Sequence, residues 1–265
     1  MDPIRQAIEL ARADQPGQYS GRPVDPRTNA LDAQIVNAQL NSSHLEAARI
    51  VAHAVNSPHG RYFDMLRTQV LQEMDKNGWQ FLAVTSPTAG CGKTVTSCNL
   101  AMSIARLEQR SVLLIDLDLQ KPKVSEYLGL DRPQGFLSVL EGRETLPSAM
   151  VQASIGPTKM LVLPGEVCSS GSSEWMASQA MATLLQAIKD EFRSHIVIVD
   201  LPPILVGDDF ISILPQMDAV LFIAGVGTTS VSQIKECQKH LKRAPVVRVV
   251  LNKVTEQTDS YYAYY

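Results

Sequence analysis

The sequence predicts an α/β fold, a three-layer sandwich with a mostly parallel central sheet. Three observations carry that expectation. Runs such as FLAVT (81–85) and IVIV (196–199) have strand length and are almost wholly apolar, as strands covered on both faces require. Between such runs lie segments with apolar residues at three- to four-residue steps, the period of helices. The first run leads through a turn-rich loop into one of these helices and then another strand, the start of a right-handed crossover sheet.

Residues 1–43 are expected to form a flexible N-terminal arm, because 15–29 (QPGQYSGRPVDPRTN) is too rich in Pro, Gly and charge to pack. Within it, 4–13 suits a short amphipathic helix and 31–40 a strand or docking segment. Residues 44–254 are expected to be one domain. Leu45, Ala48, Ile50, Val51 and Ala54 share a helical face, and 56–60 breaks it. Phe63, Leu66, Val70, Leu71 and Met74 mark a second helix over 61–74. Strand 81–85, loop 86–92, helix 93–107 and strand 111–116 follow. Further strands are expected at 160–163, 196–199, 219–223 and 246–251, with helices at 173–192 and 230–241. Residues 255–265 form a polar tail ending in tyrosines.

The 265 residues are 45% apolar, enough for one full-sized core. With 24 basic and 27 acidic residues the chain carries a net charge of −3, which does not favour nucleic acid as its main partner. Four cysteines and five histidines show no metal or disulfide spacing. The opening residues lack the apolar core of a signal peptide, and no run approaches the ~18 apolar residues of a membrane span. A cytoplasmic protein is expected, with docking on a membrane protein still open.

The loop SPTAGCGKT connects strand 81–85 to the next helix. Backbone N–H groups in such a loop, together with the helix N-terminus, form a nest for phosphate oxygens. Thr88, Ala89, Gly90, Cys91, Gly92, Lys93, Thr94 and Val95 are therefore the expected nucleotide-binding residues. Lys93 is placed for the β and γ phosphates and Thr94 for Mg²⁺, so ATP and Mg²⁺ are the expected ligands. Pro87 stands where the motif GxxxxGK[ST] has its first glycine. Two apolar strands end in carboxylates, SVLLIDLDLQKP in Asp116 and Asp118 and HIVIVDLPP in Asp200. Active groups of open parallel sheets gather beyond the carboxyl ends of strands, so these acids are expected to converge with Lys93 and Thr94. The i, i+2 spacing turns Asp116 and Asp118 to one side if the strand continues. A carboxylate near a γ-phosphate accepts a proton from an attacking hydroxyl. Strand-end aspartates that merely cap the next helix are the competing reading.

Taken in order, SPTAGCGKT, LLIDLDLQKP, IVIVDLPPIL with Asp209, VVLNKV and the tail YYAYY resemble the bacterial tyrosine kinases of capsule and exopolysaccharide assembly. These are P-loop NTPases related to the septum-positioning and partition ATPases, and the resemblance runs from about residue 61 to the C-terminus. It implies an ATP- and Mg²⁺-dependent protein-tyrosine autokinase regulating polysaccharide polymerisation or export. It implies catalytic roles for Lys93, Asp116, Asp118 and Asp200, with Asp116 the better candidate to activate a tyrosine hydroxyl. Thr94, Asp116 and Asp200 are the implied metal residues, and Asn252 is implied near the adenine. Tyr261, Tyr262, Tyr264 and Tyr265 are the implied phospho-acceptors. Implied partners are further copies in a ring or dimer and a membrane-embedded polysaccharide co-polymerase, which implies attachment at the inner membrane face. The signature lysine of the partition branch is replaced by Thr88, which favours the kinase branch. Two departures stand out. Arg61, Asp64 and Arg67 occupy the subunit-joining pattern E-x-x-R-x-x-R with two charges reversed, and Gln120 takes the usual arginine position after Asp118. A P-loop ATPase switch, or a nucleotide-binding scaffold of an export complex without kinase activity, is the alternative.

Overall fold

The computed structural model describes residues 34–55, 57–131, 134–242 and 244–254. Eight strands form one sheet: β1 (Val36–Gln39), β2 (Phe81–Thr85), β3 (Ser111–Asp116), β4 (Val151–Ile155), β5 (Thr158–Leu163), β6 (His195–Asp200), β7 (Ala219–Gly225) and β8 (Val246–Asn252). Their spatial order is β1-β4-β5-β3-β6-β2-β7-β8. All neighbours are parallel except β4 and β5, a hairpin turned at Gly156 with φ +54°. The helices are α1 (Ser42–Ala47), α2 (Gly60–Asn77), α3 (Lys93–Ala105), α4 (Val124–Leu128), α5 (Phe136–Leu140), α6 (Leu146–Ala149), α7 (Ser172–Met176), α8 (Gln179–Glu191), α9 (Asp209–Ile213) and α10 (Val231–Leu241).

The two-residue period of the strands divides the core into two layers. Leu82, Val84, Leu114 and Ile198 face one cluster, built with Val70, Met74, Leu100 and Ile104 of α2 and α3. Phe81, Ala83, Leu113 and Val199 face the other, built with Met181, Leu185, Ile188, Phe210 and Leu241 of α8, α9 and α10. This is the expected three-layer sandwich. Asn99 ties the connection after α1 to α3: its Oδ1 accepts from Val51 and Ala52 N–H (2.8 and 3.0 Å), and its Nδ2 donates to Arg49 and Val95 carbonyls.

Several elements differ from the sequence expectation. The strand reading of 31–40 holds as β1, but β1 pairs with β4, so the sheet begins at Val36, inside the stretch 1–43 expected to be an arm. The helix read over 45–54 stops at Ala47, where Arg49 turns the chain at φ +63°. The single helix expected over 173–192 is two, because Ser178 caps a new one by accepting from Met181 N–H (3.1 Å).

Asp64 on α2 is engaged within its own chain. Its Oδ1 lies 3.1 Å from both Arg67 and Arg106 Nη1, and accepts from Ser103 Oγ at 2.5 Å. Both guanidinium groups are mostly buried, at 15% and 14% exposure. The reversed charge at this position thus serves to fasten α2 to α3. Asp64→Ala is expected to cost about 2–3 kcal/mol in urea unfolding. Breaking a buried pair costs about 3–5 kcal/mol, reduced here because the carboxylate is a quarter exposed. A change below about 0.5 kcal/mol would reduce this cluster to an ordinary surface ion pair.

Candidate functional site

The turn after β2 carries two glycines in the left-handed region, Gly90 at φ +81° and Gly92 at φ +94°. Gly92 is the N-cap of α3 and gives it no side-chain cap. The first N–H groups of α3 therefore point outward with no acceptor from the helix itself, which is the chemistry of an anion nest. Ala89 and Gly90 are exposed at the rim. Thr88 is half-buried, and its carbonyl accepts from Ser86 Oγ (2.8 Å). Burial pushes the Cys91 thiol up, but hydroxyl contacts from Thr229 (3.4 Å) and Thr88 (3.8 Å) outweigh it and leave the thiol below its ordinary value.

Lys93 and the carboxylates meet as expected. Lys93 Nζ donates to Asp118 Oδ2 at 2.7 Å and lies 3.6 Å from Asp200 Oδ2. Burial works against its charge, yet Asp200 and Asp118 raise its pKa above the ordinary lysine value. Thr94 Oγ1 donates to Asp200 Oδ2 at 2.6 Å, and Ser97, one turn on, donates to Oδ1 at 3.0 Å. Burial pushes the Asp200 pKa up; Lys93 and those two hydroxyls oppose the shift.

Asp116 and Asp200 are register partners at the ends of β3 and β6. The Asp116 carboxylate also organises the loop beyond it. Its Oδ1 accepts from Asp118 N–H (3.1 Å), and its Oδ2 from Lys123 N–H (2.8 Å) and Val124 N–H (2.9 Å). The competing capping reading thus holds for Asp116, which accepts from amides at the start of α4, while Asp118 Oδ1 accepts from Lys121 N–H (3.1 Å) in the turn before it. Burial, then the Asp200 charge, push its pKa up to about 7, against the pull of the loop amides and Lys93.

A Mg²⁺ ion requires hard oxygen donors and retains several non-protein ligands. The Thr94 hydroxyl and Asp200 carboxylate fit that requirement beside the nest. At Asp116 a direct metal role competes with three amides that already occupy the carboxylate. Asn252 ends β8 against the same loop, its Nδ2 donating to Cys91 O at 2.9 Å. The four tail tyrosines lie outside the described residues.

Sequence reasoning missed two contributors, Ser97 and Gly165, and it missed the contact made by Gln120. Ser97 follows Lys93 by four residues on α3, a helical spacing that was available to read. Gly165 presses on Asp116, and nothing in the local sequence announces it: a Cβ there would stand 2.9 Å from Asp116 Cγ. Gln120 donates to the buried Asp209 (2.8 Å), which Ser172 also reaches, so the residue in the usual arginine position joins the loops after β3, β5 and β6.

The profile of the CobQ/CobB/MinD/ParA nucleotide binding domain matches residues 82–264. EpsB of Ralstonia nicotianae is 28% identical over 247 residues, 92% of this chain and 32% of that protein. The tyrosine-protein kinase CpsD of Streptococcus agalactiae is 24% identical over 203 residues, 76% of this chain and 86% of that one. Among solved structures, the kinase domain of the Escherichia coli tyrosine kinase ETK superimposes with a TM-score of 0.65 at 26% identity, covering 74% of this chain and 76% of that one. The chain spans about a third of the length of the longer curated relatives it matches.

Proposed function

Because the chain belongs to the CobQ/CobB/MinD/ParA nucleotide-binding domain family, we propose that it binds ATP with Mg²⁺ and transfers the γ-phosphoryl group to tyrosine. The observation that carries this reading is the meeting of Lys93, Thr94, Asp118 and Asp200 beside the glycine loop, with Asp116 in register with Asp200. The loop amides and the Lys93 ammonium hold phosphate oxygens and offset charge that grows during transfer. Thr94 and Asp200 hold Mg²⁺, which when bound supplies further charge neutralisation. Asp116, titrating near 7, is poised to take the phenolic proton at neutral pH. Its three amide bonds fix the orientation of that carboxylate.

The acceptors in this reading are Tyr261, Tyr262, Tyr264 and Tyr265, and the output is control of exopolysaccharide or capsule polymerisation and export. Among the described residues no helix is long and apolar enough to cross a membrane. The proposed membrane link is a co-polymerase-type partner at the inner face. Further copies of the chain are proposed partners as well.

Intact-mass spectrometry after incubation with Mg²⁺–ATP tests the reading. The wild-type chain is expected to gain phosphates. A chain with Phe at 261, 262, 264 and 265 is expected to bind ATP equally well and lose most of the added mass. ATP binding and hydrolysis with no mass gain would move the assignment to an ATPase switch.

A further inference from the structure

We propose that Ser97 is a positioning residue for the metal side of the site: its hydroxyl fixes the Asp200 carboxylate with Oδ2 turned to Thr94, where a divalent cation would be held. This rests on the reading of Thr94 and Asp200 as the Mg²⁺ residues. Asp200 is fully buried at the end of β6. Its two oxygens are served by different residues of α3. Oδ2 accepts from Thr94 Oγ1 at 2.6 Å and lies 3.6 Å from Lys93 Nζ. Oδ1 accepts from Ser97 Oγ at 3.0 Å and has no other donor among the described residues. Thr94 and Ser97 stand at i and i+3 on α3, so both hydroxyls come from one face of the helix and grip the carboxylate by its two oxygens. Asp116, the register partner on β3, brings a like charge that works against any fixed pose of Asp200.

The ordinary role of a serine inside a helix is a bond back to the carbonyl four residues earlier. Ser97 has that neighbour too, since Lys93 O also lies 3.0 Å from its Oγ. A hydroxyl carries one hydrogen, however, and both neighbours are acceptors. The carboxylate is the stronger acceptor because it is charged. The Lys93 carbonyl is also supplied by the backbone ladder of α3, whereas Oδ1 takes its hydrogen bond from Ser97. The hydrogen therefore goes to Asp200. Ser97 is itself completely buried, which keeps its hydroxyl at this carboxylate. Thr96 shows the ordinary case on the same helix: it is buried, and its Oγ1 bonds back to Gly92 O at 2.9 Å without touching a carboxylate. An Asp200 that lacks the Ser97 donor is free to turn away from Thr94. Partners that orient a metal-binding group in this way change metal affinity by about 10- to 100-fold.

The test is equilibrium binding of a fluorescent ADP analogue, read in EDTA and over a Mg²⁺ titration, for the wild-type chain, Ser97→Ala, Ser97→Thr and Thr96→Val. Alanine suits a helix interior and removes only the hydroxyl, so the Ser97→Ala chain is expected to fold. It is expected to bind the metal-free analogue within about threefold of wild type, because the loop amides are untouched. It is expected to need about 10- to 100-fold more Mg²⁺ to reach its tight-binding state. Ser97→Thr keeps the hydroxyl in a helix-compatible side chain and is expected to restore most of the Mg²⁺ response. Thr96→Val loses a back-bond of the same kind and is expected to leave the Mg²⁺ midpoint unchanged. A Ser97→Ala midpoint equal to that of wild type overturns the proposal while the Mg²⁺ reading stands. A fall in metal-free affinity as large as the fall in Mg²⁺ affinity also overturns it, because Ser97 would then act on the loop through Lys93 O. If wild-type affinity is itself indifferent to Mg²⁺, the metal reading of Thr94 and Asp200 fails, and this inference fails with it.

Discussion

Replacing Lys93 with methionine is expected to slow phosphotransfer about 10³-fold and to destabilise the domain by about 3–5 kcal/mol at pH 8. The two losses share one cause. Lys93 is 11% exposed and faces Asp118 and Asp200, which are 7% and 0% exposed. Its ammonium is the cation opposed to three carboxylates at once, since Asp116 also feels its charge. Methionine preserves the length and apolar stem of the side chain but leaves those carboxylates facing one another. The sign with pH follows from linkage. Asp116 and Asp200 already have folded-state values raised above the ordinary 3.8, and Lys93 opposes both shifts. Without it, the folded variant binds more protons than the wild type from about pH 5 upward. Its stability deficit should therefore be small at pH 5 and widen through pH 8, as deprotonation forces the charges together. Urea unfolding of both chains at pH 5, 6, 7 and 8 measures this. A deficit that does not change with pH would mean that the lysine stabilises by packing rather than by charge.

That three-carboxylate geometry was legible because Asp116 and Asp200 end apolar strands and Asp118 follows β3 by two residues. Strands β2, β3, β6 and β7 are buried on both faces, so their composition alone marks them, and their ends mark the site. Where a strand is covered less fully, the signal fades. VQASI of β4 and VNAQ of β1 mix polar and apolar residues, and they run opposite to the rest of the sheet at one of its edges. The antiparallel turn that joins β4 to β5 is short, at Gly156, and breaks the strand–helix alternation expected elsewhere. Long-range polar contacts were hidden for a different reason. Asp64 meets Arg106 across 42 positions, and Gln120 meets Asp209 across 89. No periodicity connects such residues, and only packing of α2 on α3, or of three loops on one another, brings them together. The role of Asp116 was half legible: strand position placed it at the site, whereas its grip on the Lys123 and Val124 amides depends on how the chain turns after Asp118.

Gly165→Ala is expected to reduce phosphotransfer about 10²-fold with nucleotide affinity changed less than about threefold. Gly165 follows β5, on the far side of β3 from the phosphate loop. An added Cβ would stand 2.7 Å from Pro122 Cβ, 2.9 Å from Asp116 Cγ and 3.0 Å from Asp116 O. Neither neighbour yields cheaply. The proline ring is stiff, and Asp116 is held by β3 on one side and by three amides on the other. The strain must then move the loop that carries Asp118, by a few tenths of an ångström or more, and with it the carboxylate nearest Lys93. A base misplaced relative to the attacking oxygen costs rate rather than affinity, because the nest on β2 and α3 is untouched. Gly156→Ala is the control: its φ of +54° carries backbone strain that Gly165 does not have, but no atom lies within 4 Å of the added Cβ. That control should lose about 1–2 kcal/mol of stability at most and keep its rate. If Gly165→Ala transfers phosphate as fast as wild type while the mass and fold are intact, Asp116 does not need its present position, and the proton must go elsewhere. If nucleotide affinity collapses along with the rate, the two sides of the sheet are coupled, and Asp116 acts on ligand binding as much as on the acceptor.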